Sequence, residues 1–422
     1  MKDKLLNLFI NNKKFAVDTI WLLISQAVVI TSGILIVFLI TKYLGLVDLG
    51  YYNQIISFYN ILSIVFALGL NNAIIKNVAE STLDDKNIKE KFSNSLFLTL
   101  IQSLSLSLLM YIIINIFPNI LSSQTLKDLF WLMLLALPFY NINKNIDALC
   151  TGKRNQKKFS TNKIIRWITM TTLVWLGCLY HDIQIVIASF AISEALLLLV
   201  NLKFISKYVS LKINKTILVK NFKFGLQTYI AEMISVVISN IDIIILGYIL
   251  SKYDLGLYSL IITIARTMLI FPNILSQNIN PIISKLWFEN KKEELFDKFK
   301  KINKMNLVVC ALLFLGLLAA YWLVITYFKP EYYDSFYLFI ITLVGIFITS
   351  TISWAGGTFM MIGKNKLNNI RTFVVSMVSL VLMYFITLNF GLYGACLAVV
   401  LNALIQFIIF VGLLLKLKAN KL

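Results

Sequence analysis

The sequence predicts an all-α polytopic membrane protein with about 12 transmembrane helices, arranged in two six-helix lobes. The first observation is composition: 59% of the 422 residues are hydrophobic and 14% are charged, whereas about a quarter are charged in a soluble domain. The second is that the apolar residues form runs long enough to cross about 30 Å of hydrocarbon as helices. The third is that short motifs of the first half recur in the second.

Each predicted helix is one apolar run, and polar connections separate the runs. The run boundaries are 19–41, 51–77, 93–117, 126–147, 161–180, 185–205, 223–250, 258–284, 304–327, 335–359, 371–388 and 392–415. The first run is too long for a signal-peptide core and lacks an Ala-x-Ala cleavage site, so it is interpreted as a retained helix. The predicted organisation is an N-lobe at 1–205, a basic cytoplasmic connector at 206–222, and a C-lobe at 223–422.

The distribution of basic residues predicts the orientation. The N-terminus, the even-numbered connections and the C-terminal tail hold 31 of the 39 Lys and Arg residues, and the odd-numbered connections hold four. Basic residues are enriched in short cytoplasmic loops, so both termini are predicted to be cytoplasmic. The net charge of +19 is thereby explained as a topology signal, without a nucleic-acid partner.

A repeated motif marks the connection that follows the first helix of each half. Asp48 and Gly50 in the segment DLGYY recur as Asp254 and Gly256 in DLGLY, 206 residues later. An aspartate at a helix start can cap free backbone N–H groups, and a glycine eases a tight turn. We interpret these four residues as structural elbows, and a direct substrate role for the aspartates is the alternative.

Ionisable residues inside the apolar runs are the candidates for function, because each costs at least about 2.5–3.5 kcal/mol at a helix centre. Glu194 lies in the sixth run, and Glu232 and Asp242 lie in the seventh, ten residues apart on roughly the same helix face. Arg266 lies in the eighth run and is a candidate partner of Asp242. Three further bases lie near predicted cytoplasmic helix ends: Lys76, Lys144 and Arg166. They are expected either to snorkel or to form a basic vestibule for an anionic head group.

Several other functions are excluded or have no signal. The four cysteines are scattered, and His181 is the one histidine, so no zinc site is predicted. No GxxxxGK[ST] phosphate loop is present, so we expect neither an ATPase nor a bound cofactor. The odd-numbered connections are short, which leaves no room for the long catalytic loop of a polysaccharide polymerase or ligase.

The motifs resemble those of one transporter family. The segments YLGLVDLGYYNQI at 43–55 and ALGLNNA at 67–73, followed by Lys76, look like bacterial polysaccharide (O-antigen, Wzx-type) flippases. These belong to the multidrug/oligosaccharidyl-lipid/polysaccharide exporter (MOP) superfamily, which has a MATE-like fold. The segments NIDIIILG at 240–247 and DLGLY at 254–258 are similar to its seventh helix and the elbow after it. Family members often carry arginine where this chain has Lys76.

The resemblance implies a flippase rather than an enzyme. Its substrate would be an undecaprenyl-pyrophosphate-linked oligosaccharide, moved across the bacterial cytoplasmic membrane by alternating access, with membrane lipid around it. Arg266, Lys76, Lys144 and Arg166 would bind the substrate, while Asp242, Glu232 and Glu194 would sense an ion gradient or the membrane potential. A polysaccharide polymerase and a chain-length regulator are candidate partners. A multidrug exporter of the same superfamily and a lipid II flippase stay open as alternatives.

Overall fold

The computed structural model describes residues 13–80, 85–210, 214–327 and 332–419, and within these ranges the chain is helical with no β-strand. The predicted all-α fold class is confirmed. In the described ranges, eight helices are long and apolar enough to cross a membrane, or nine if one bent pair counts as a single span. The protein is therefore a multi-pass membrane protein. The count of twelve spans and the cytoplasmic termini stay predictions.

The chain divides into two compact units, unit 1 at Met1–Ile244 and unit 2 at Ile245–Leu422. The helices of unit 1 are α1 (Lys13–Tyr43), α2 (Leu46–Ala67), α3 (Leu70–Glu80), α4 (Asp85–Ile116), α5 (Gln124–Gly152), α6 (Gln156–Leu179), α7 (Ile183–Ile205) and most of α8 (Lys215–Ile249). In this unit α1 packs on α6, α5 packs on α4 and α7, and α6 also packs on α7.

Unit 2 contains six further helices. They are α9 (Lys252–Arg266), α10 (Ile270–Phe288), α11 (Lys292–Tyr327), α12 (Ser335–Ser353), the short α13 (Thr358–Met361) and α14 (Asn365–Lys418). Helix α14 is kinked at Gly391, where the backbone leaves helical geometry. Helix α12 packs on α14, α9 and α11. The two units are defined by the packing of the chain and not by a count of membrane-spanning helices. The division into two six-helix lobes therefore stays a prediction.

Several boundaries differ from those predicted by hydropathy. Helices α4 and α11 begin at Asp85 and Lys292, eight and twelve residues before their apolar runs. The predicted connector at 206–222 is shorter, because α8 already begins at Lys215. Both helices are long enough to extend beyond the hydrocarbon, so their first turns can carry charged residues outside it. Helix α11, for example, has 36 residues and is about 54 Å long.

The elbow motifs lie at equivalent helix starts. Helices α2 and α9 begin at Leu46 and Lys252, 206 residues apart, so Asp48 and Asp254 each occupy the third position of a helix. A carboxylate at that position is stabilised by the positive end of the helix dipole. The aspartates are not the N-caps, which is a correction: in α9 the cap is Ser251, whose Oγ accepts a hydrogen bond from the Asp254 N–H at 3.1 Å and donates to its Oδ2 at 2.7 Å.

The glycine that makes the first turn is also different from the predicted one. Gly45 is the residue before α2 and has φ of 91°, a left-handed conformation that suits glycine. Gly50 is buried inside α2, and Gly256 is buried inside α9. The repeated glycines therefore allow helix packing and do not form the turn itself.

Three prolines lie within helices of the structure without ending them. Pro138 lies inside α5 without ending it, and Pro281 lies inside α10. The eighth run is broken by a 3₁₀ turn at Thr267–Leu269, just before Pro272. Pro272 then falls in the first turn of α10, where a backbone N–H has no helical partner and its loss costs little.

Helix α8 packs against a bend between α2 and α3. The two helices meet at 50°, with Leu68 and Gly69 in left-handed conformations. Gly225 of α8 lies against this bend: a Cβ added there would come within 2.6 Å of the Leu68 carbonyl oxygen. Nearby, the buried Nδ2 of Asn77 donates to Oδ1 of Asn221 at 2.7 Å. These contacts attach the first half of α8 to unit 1.

We predict that Gly225→Ala destabilises the protein by about 1–3 kcal/mol, because the new methyl group overlaps backbone atoms that cannot rotate away. The measurement is the thermal unfolding midpoint of purified protein in detergent. Gly316→Ala on α11 is the matched control, since nothing lies within 4 Å of a Cβ at that position. Equal midpoints for the two variants would contradict the close approach.

Candidate functional site

A polar cavity of about 610 Å³ lies within unit 1. Its walls come from α1, α2, α3, α5, α6 and α7, and they combine charged, amide and aromatic side chains. The polar and aromatic members include Tyr59, Asn60, Asn71, Tyr140, Lys144, Asp147, Lys163, Arg166, Trp167 and Glu194. Such a concentration of charge is unusual in a chain of this hydropathy.

The cavity explains why α5 and α6 are absent from the strongly apolar helices. Helix α5 carries Lys144 and Asp147, and α6 carries Lys163 and Arg166. These charged residues all face the cavity, so they lower the hydropathy of two helices that are otherwise long enough to span a membrane. Polar residues inside a membrane helix normally mark a bundle interior or a wet cavity.

Arg166 is the centre of the charge cluster. Its Nε lies 2.7 Å from Oε1 of Glu194, and its Nη2 lies 3.3 Å from Oδ2 of Asp147. The three side chains are 14%, 4% and 12% exposed. One guanidinium thus faces two carboxylates from two other helices, and the cluster as a whole carries an excess negative charge when all three groups are ionised.

Two asparagines orient the carboxylates. The Nδ2 of Asn143 donates to Oε2 of Glu194 at 2.7 Å, and Nδ2 of Asn162 donates to Oδ1 of Asp147 at 2.9 Å. Asn143 lies four residues before Asp147 on α5, and Asn162 lies four residues before Arg166 on α6, so each helix presents an amide and a charged group on one face. These bonds satisfy buried oxygens that a single arginine cannot satisfy alone.

Aromatic rings form the wall beside the guanidinium. The Cζ of Arg166 lies 5.6 Å from the centre of the Tyr140 ring, within cation–π range. The Tyr59 ring packs against Tyr140 and Phe190, each at a centroid distance of 5.3 Å. The cavity therefore offers both a cation and flat apolar surfaces to a ligand.

A second ion pair connects α5 with α8. The Nζ of Lys144 lies 3.2 Å from Oε1 of Glu232, and Nδ2 of Asn72 donates to its Oε2 at 3.4 Å. Further along α8, Oδ1 of Asn240 accepts a hydrogen bond from Asn60 at 2.9 Å. Glu232 and Asn240 are eight residues apart, so these contacts follow one face of α8.

The structure brings four of the seven predicted site residues into two ion pairs, Arg166 with Glu194 and Lys144 with Glu232. Arg166 does not snorkel, since its charged group is held among buried carboxylates. Lys76 lies outside the cavity lining: its side chain is 48% exposed, 4.0 Å from Glu80 and 4.2 Å above the Phe224 ring.

The remaining two candidates lie on different units. Oδ1 of Asp242 accepts a hydrogen bond from the N–H of Ile243 at 2.9 Å, near the end of unit 1. Arg266 is exposed at the last residue of α9, in unit 2. The pairing of Asp242 with Arg266 stays a prediction.

Asp147 is the site residue that sequence reasoning missed. It is the last residue of the fourth predicted run, 126–147, whereas α5 continues to Gly152. The available signal was the spacing: Asn143 and Asp147 recur at i and i+4, as Asn162 and Arg166 do in the next helix.

Metal-binding chemistry has no candidate in the parts of the chain that the structure describes. Those ranges contain no group of three or more His, Cys, Asp or Glu side chains that could hold a metal ion. The four cysteines are buried and free.

Comparison with known proteins decides the family. A family model described as "Polysaccharide biosynthesis protein" matches residues 15–287. The chain belongs to this family. It is 22% identical over 372 residues to the capsular polysaccharide biosynthesis protein CapF of Staphylococcus aureus, covering 86% of this chain and 89% of CapF.

Solved structures of MOP-superfamily proteins and relatives have the same fold. A multidrug resistance MATE family transporter of the MOP superfamily, in an inward-facing conformation, matches with a TM-score of 0.73 at 15% identity, covering 93% of this chain and 96% of the transporter. The lipid II flippase MurJ matches with a TM-score of 0.70 at 20% identity, covering 94% of this chain and 87% of MurJ. Together with the family match, these likenesses confirm the resemblance drawn from the sequence motifs.

We predict that Arg166→Gln destabilises the protein by about 3–5 kcal/mol, because it leaves two buried carboxylates without their cation. The triple variant Arg166→Gln, Asp147→Asn, Glu194→Gln should recover most of that loss, since it buries no uncompensated charge. The measurement is the unfolding midpoint in detergent, with Arg154→Gln at an exposed site as the control. A triple variant as unstable as the single one would contradict the proposed charge balance.

Proposed function

We propose that this protein is a flippase for undecaprenyl-pyrophosphate-linked polysaccharide repeat units, of O-antigen or capsule type, in the bacterial cytoplasmic membrane. The observation that carries the proposal is the polar cavity inside unit 1, with Arg166 and Lys144 on its walls. Membership of the polysaccharide biosynthesis family and the similarity to CapF support this class of substrate. The protein would therefore be a transporter and not an enzyme.

The physical problem that such a protein solves is desolvation. Each sugar hydroxyl that enters hydrocarbon without a hydrogen-bond partner costs several kcal/mol, about 4–8 on a water-to-cyclohexane scale. A hydrated cavity would replace some of those hydrogen bonds through water and through the amides and hydroxyls of its lining, which include Tyr59, Asn60, Asn71 and Tyr140. The polyprenyl chain needs no such shelter and remains in the lipid while the head group crosses.

The pyrophosphate is the group that the cations would recognise. Arg166 and Lys144 are both neutralised by carboxylates in this conformation. A pyrophosphate that enters the cavity competes with those carboxylates for the same donors, and an arginine makes a strong charge-assisted pair with phosphate. Lys76, whose side chain is exposed, and Arg266 would add positive charge that attracts the same anion.

The displaced carboxylates would couple transport to an ion. Once phosphate occupies Arg166 or Lys144, Glu194 or Glu232 loses its counter-charge and must bind a proton or another cation. Release of the substrate reverses the exchange and restores the ion pairs. Alternating access of the cavity to the two sides of the membrane, with Asp242 as a further coupling residue, would then link substrate movement to an ion gradient or membrane potential.

The alternatives make different demands on the cavity. A multidrug exporter for cationic drugs would need an excess of carboxylates on the cavity wall, whereas the lining has three bases and two acids. The bases are Lys144, Lys163 and Arg166, and the acids are Asp147 and Glu194. A lipid II flippase would use a similar pyrophosphate site, so the distinction lies in the sugar. A polysaccharide polymerase and a chain-length regulator are the proposed partners that would receive the exported unit.

Exchange of the charges of Lys144 and Glu232 tests the proposal. Lys144→Glu should lower surface polysaccharide at least about tenfold in a complemented deletion strain, because a charge-assisted contact is lost and a repulsive pair is created. The double variant Lys144→Glu, Glu232→Lys should regain normal protein levels in the membrane and still fail to export, because the cation has moved away from the substrate position.

The matched control is the exposed pair Lys298 and Glu294, 2.8 Å apart on α11. The same exchange there should leave both the protein level and the surface polysaccharide unchanged. Normal export by the double variant at Lys144 and Glu232 would show that this pair only holds α8 in place, and it would contradict the substrate role.

A further inference from the structure

Unit 2 contains an arginine whose environment is the opposite of that of Arg166. Arg371 lies near the start of α14 and is partly buried. Its Nη2 donates to Oδ1 of Asn368 at 3.0 Å and to the carbonyl oxygen of Gly356 at 3.4 Å. Both acceptors are neutral, so neither offsets the positive charge of the guanidinium.

Within the described ranges, Arg371 forms no ion pair with an Asp or Glu side chain. Its hydrogen bonds go to neutral oxygens. The sequence explains this in part: from residue 335 to the C-terminus there is no Asp or Glu at all. The bases in the same stretch are Lys364, Lys366, Arg371, Lys416, Lys418 and Lys421. This stretch of the sequence therefore carries only positive charge, whereas α11, which shares the hydrophobic core of unit 2 through Leu295 and Phe299, has acidic residues in its first turn.

Aromatic packing fixes the guanidinium in position. The Cζ of Arg371 lies 5.6 Å from the ring centre of Phe359 and 5.2 Å from that of Phe410. Both phenylalanines are buried and belong to the hydrophobic core of unit 2. An arginine held in this way has already lost most of its side-chain freedom, so binding an anion would cost it little further conformational entropy.

Donors remain available on the fixed guanidinium. Hydrogen bonds from Arg371 to the described part of the chain use Nη2, which leaves the donors of Nε and Nη1 for another acceptor. A guanidinium with neutral partners, unused donors and partial burial attracts an anion strongly, because the surrounding apolar core weakens dielectric screening.

Two lysines precede Arg371 at the start of α14 and add positive charge to that end of the helix, although Lys366, five residues before Arg371, lies on a different helix face. Lys364 is the N-cap of α14, and Lys366 is exposed in its first turn. Arg371 lies seven residues after Lys364, a distance of about 10 Å along the helix axis. The positive end of the helix dipole has the same sign, so these groups attract the same ligand.

We propose that Arg371, with Lys364 and Lys366, binds the phosphate group of a lipid at the membrane interface. Arg371 lies about two turns into α14, where the polar segment GKNKLNNIR at 363–371 is followed by an apolar run, a change of composition typical of a membrane interface. The lipid is either the pyrophosphate-linked substrate or an anionic phospholipid. The first source rests on the proposed function, whereas the second does not.

The role differs from that of Arg166. Arg166 must exchange two carboxylates before it can hold a phosphate, while Arg371 is uncompensated and available at once. A lipid phosphate would therefore bind first at Arg371 without any proton uptake.

The test is lipid binding by the purified full-length protein in detergent. Probes are a polyprenyl pyrophosphate, phosphatidylglycerol and, as a phosphate-free control, the corresponding polyprenol. We expect Arg371→Gln to weaken binding of at least one phosphate lipid by about tenfold or more, as loss of a charge-assisted contact predicts. The polyprenol should show no change.

A second variant tests the proposal even if Arg371→Gln fails to fold. Arg371→Gln removes the contact with Gly356, so its unfolding midpoint is measured in parallel. Lys364→Gln with Lys366→Gln leaves the arginine packing intact and should weaken phosphate-lipid binding severalfold. The matched control removes two exposed charges of α11 that already have acidic partners, Lys298→Gln with Lys300→Gln, and should bind as the parent protein does.

The lipid arms identify the ligand. Weakened binding of polyprenyl pyrophosphate alone assigns the site to the substrate, and weakened binding of phosphatidylglycerol assigns it to a membrane phospholipid. The proposal is overturned if a folded Arg371 variant or the lysine variant binds both lipids normally, or if the control variant loses as much affinity. Phosphatidylglycerol binding is measured without transport, so it can succeed even where the flippase function fails.

Discussion

Burial of the Arg166 guanidinium is the constraint on which the arrangement of unit 1 depends. A cation within an apolar bundle needs a counter-charge, and here Asp147 of α5 and Glu194 of α7 provide it. Since the asparagines on α5 and α6 satisfy the remaining carboxylate oxygens, three helices are joined by one polar cluster. The same groups line the cavity, so the interaction that holds these helices together is also the one that an anionic ligand must compete with.

The two units share a plan and differ in their charge chemistry. Helices α2 and α9 begin at the same offset as the repeated sequence motifs, which indicates a common arrangement of the leading helices. In unit 1 the arginine has two acidic partners, whereas Arg371 in unit 2 has aromatic rings and neutral oxygens. A repeated fold can therefore present one masked and one unmasked cation for the same class of ligand.

The sequence predicts the fold class because length and hydropathy are local properties of each run. It predicts Arg166 and Glu194 as candidates because ionisable groups are costly in an apolar segment. It does not predict their pairing, which joins residues 28 positions apart on different helices, nor the position of Gly225 against the bend at Leu68. Hydropathy does not predict Asp147 as a site residue, because it places the end of that helix too early. The repeated motif contains Asp254 but not Ser251, so it does not predict that Ser251 is the helix cap.

The most direct test of the central claim is head-group movement in proteoliposomes that contain the purified protein. A fluorescent polyprenyl-pyrophosphate-linked oligosaccharide is placed in both leaflets, and an impermeant quencher reports the fraction that reaches the outer leaflet. We predict that the protein makes the inner-leaflet fraction accessible to the quencher, and that folded variants lacking the Arg166 cluster do not. No movement of this lipid, in a preparation that transports a cationic dye, would contradict the account.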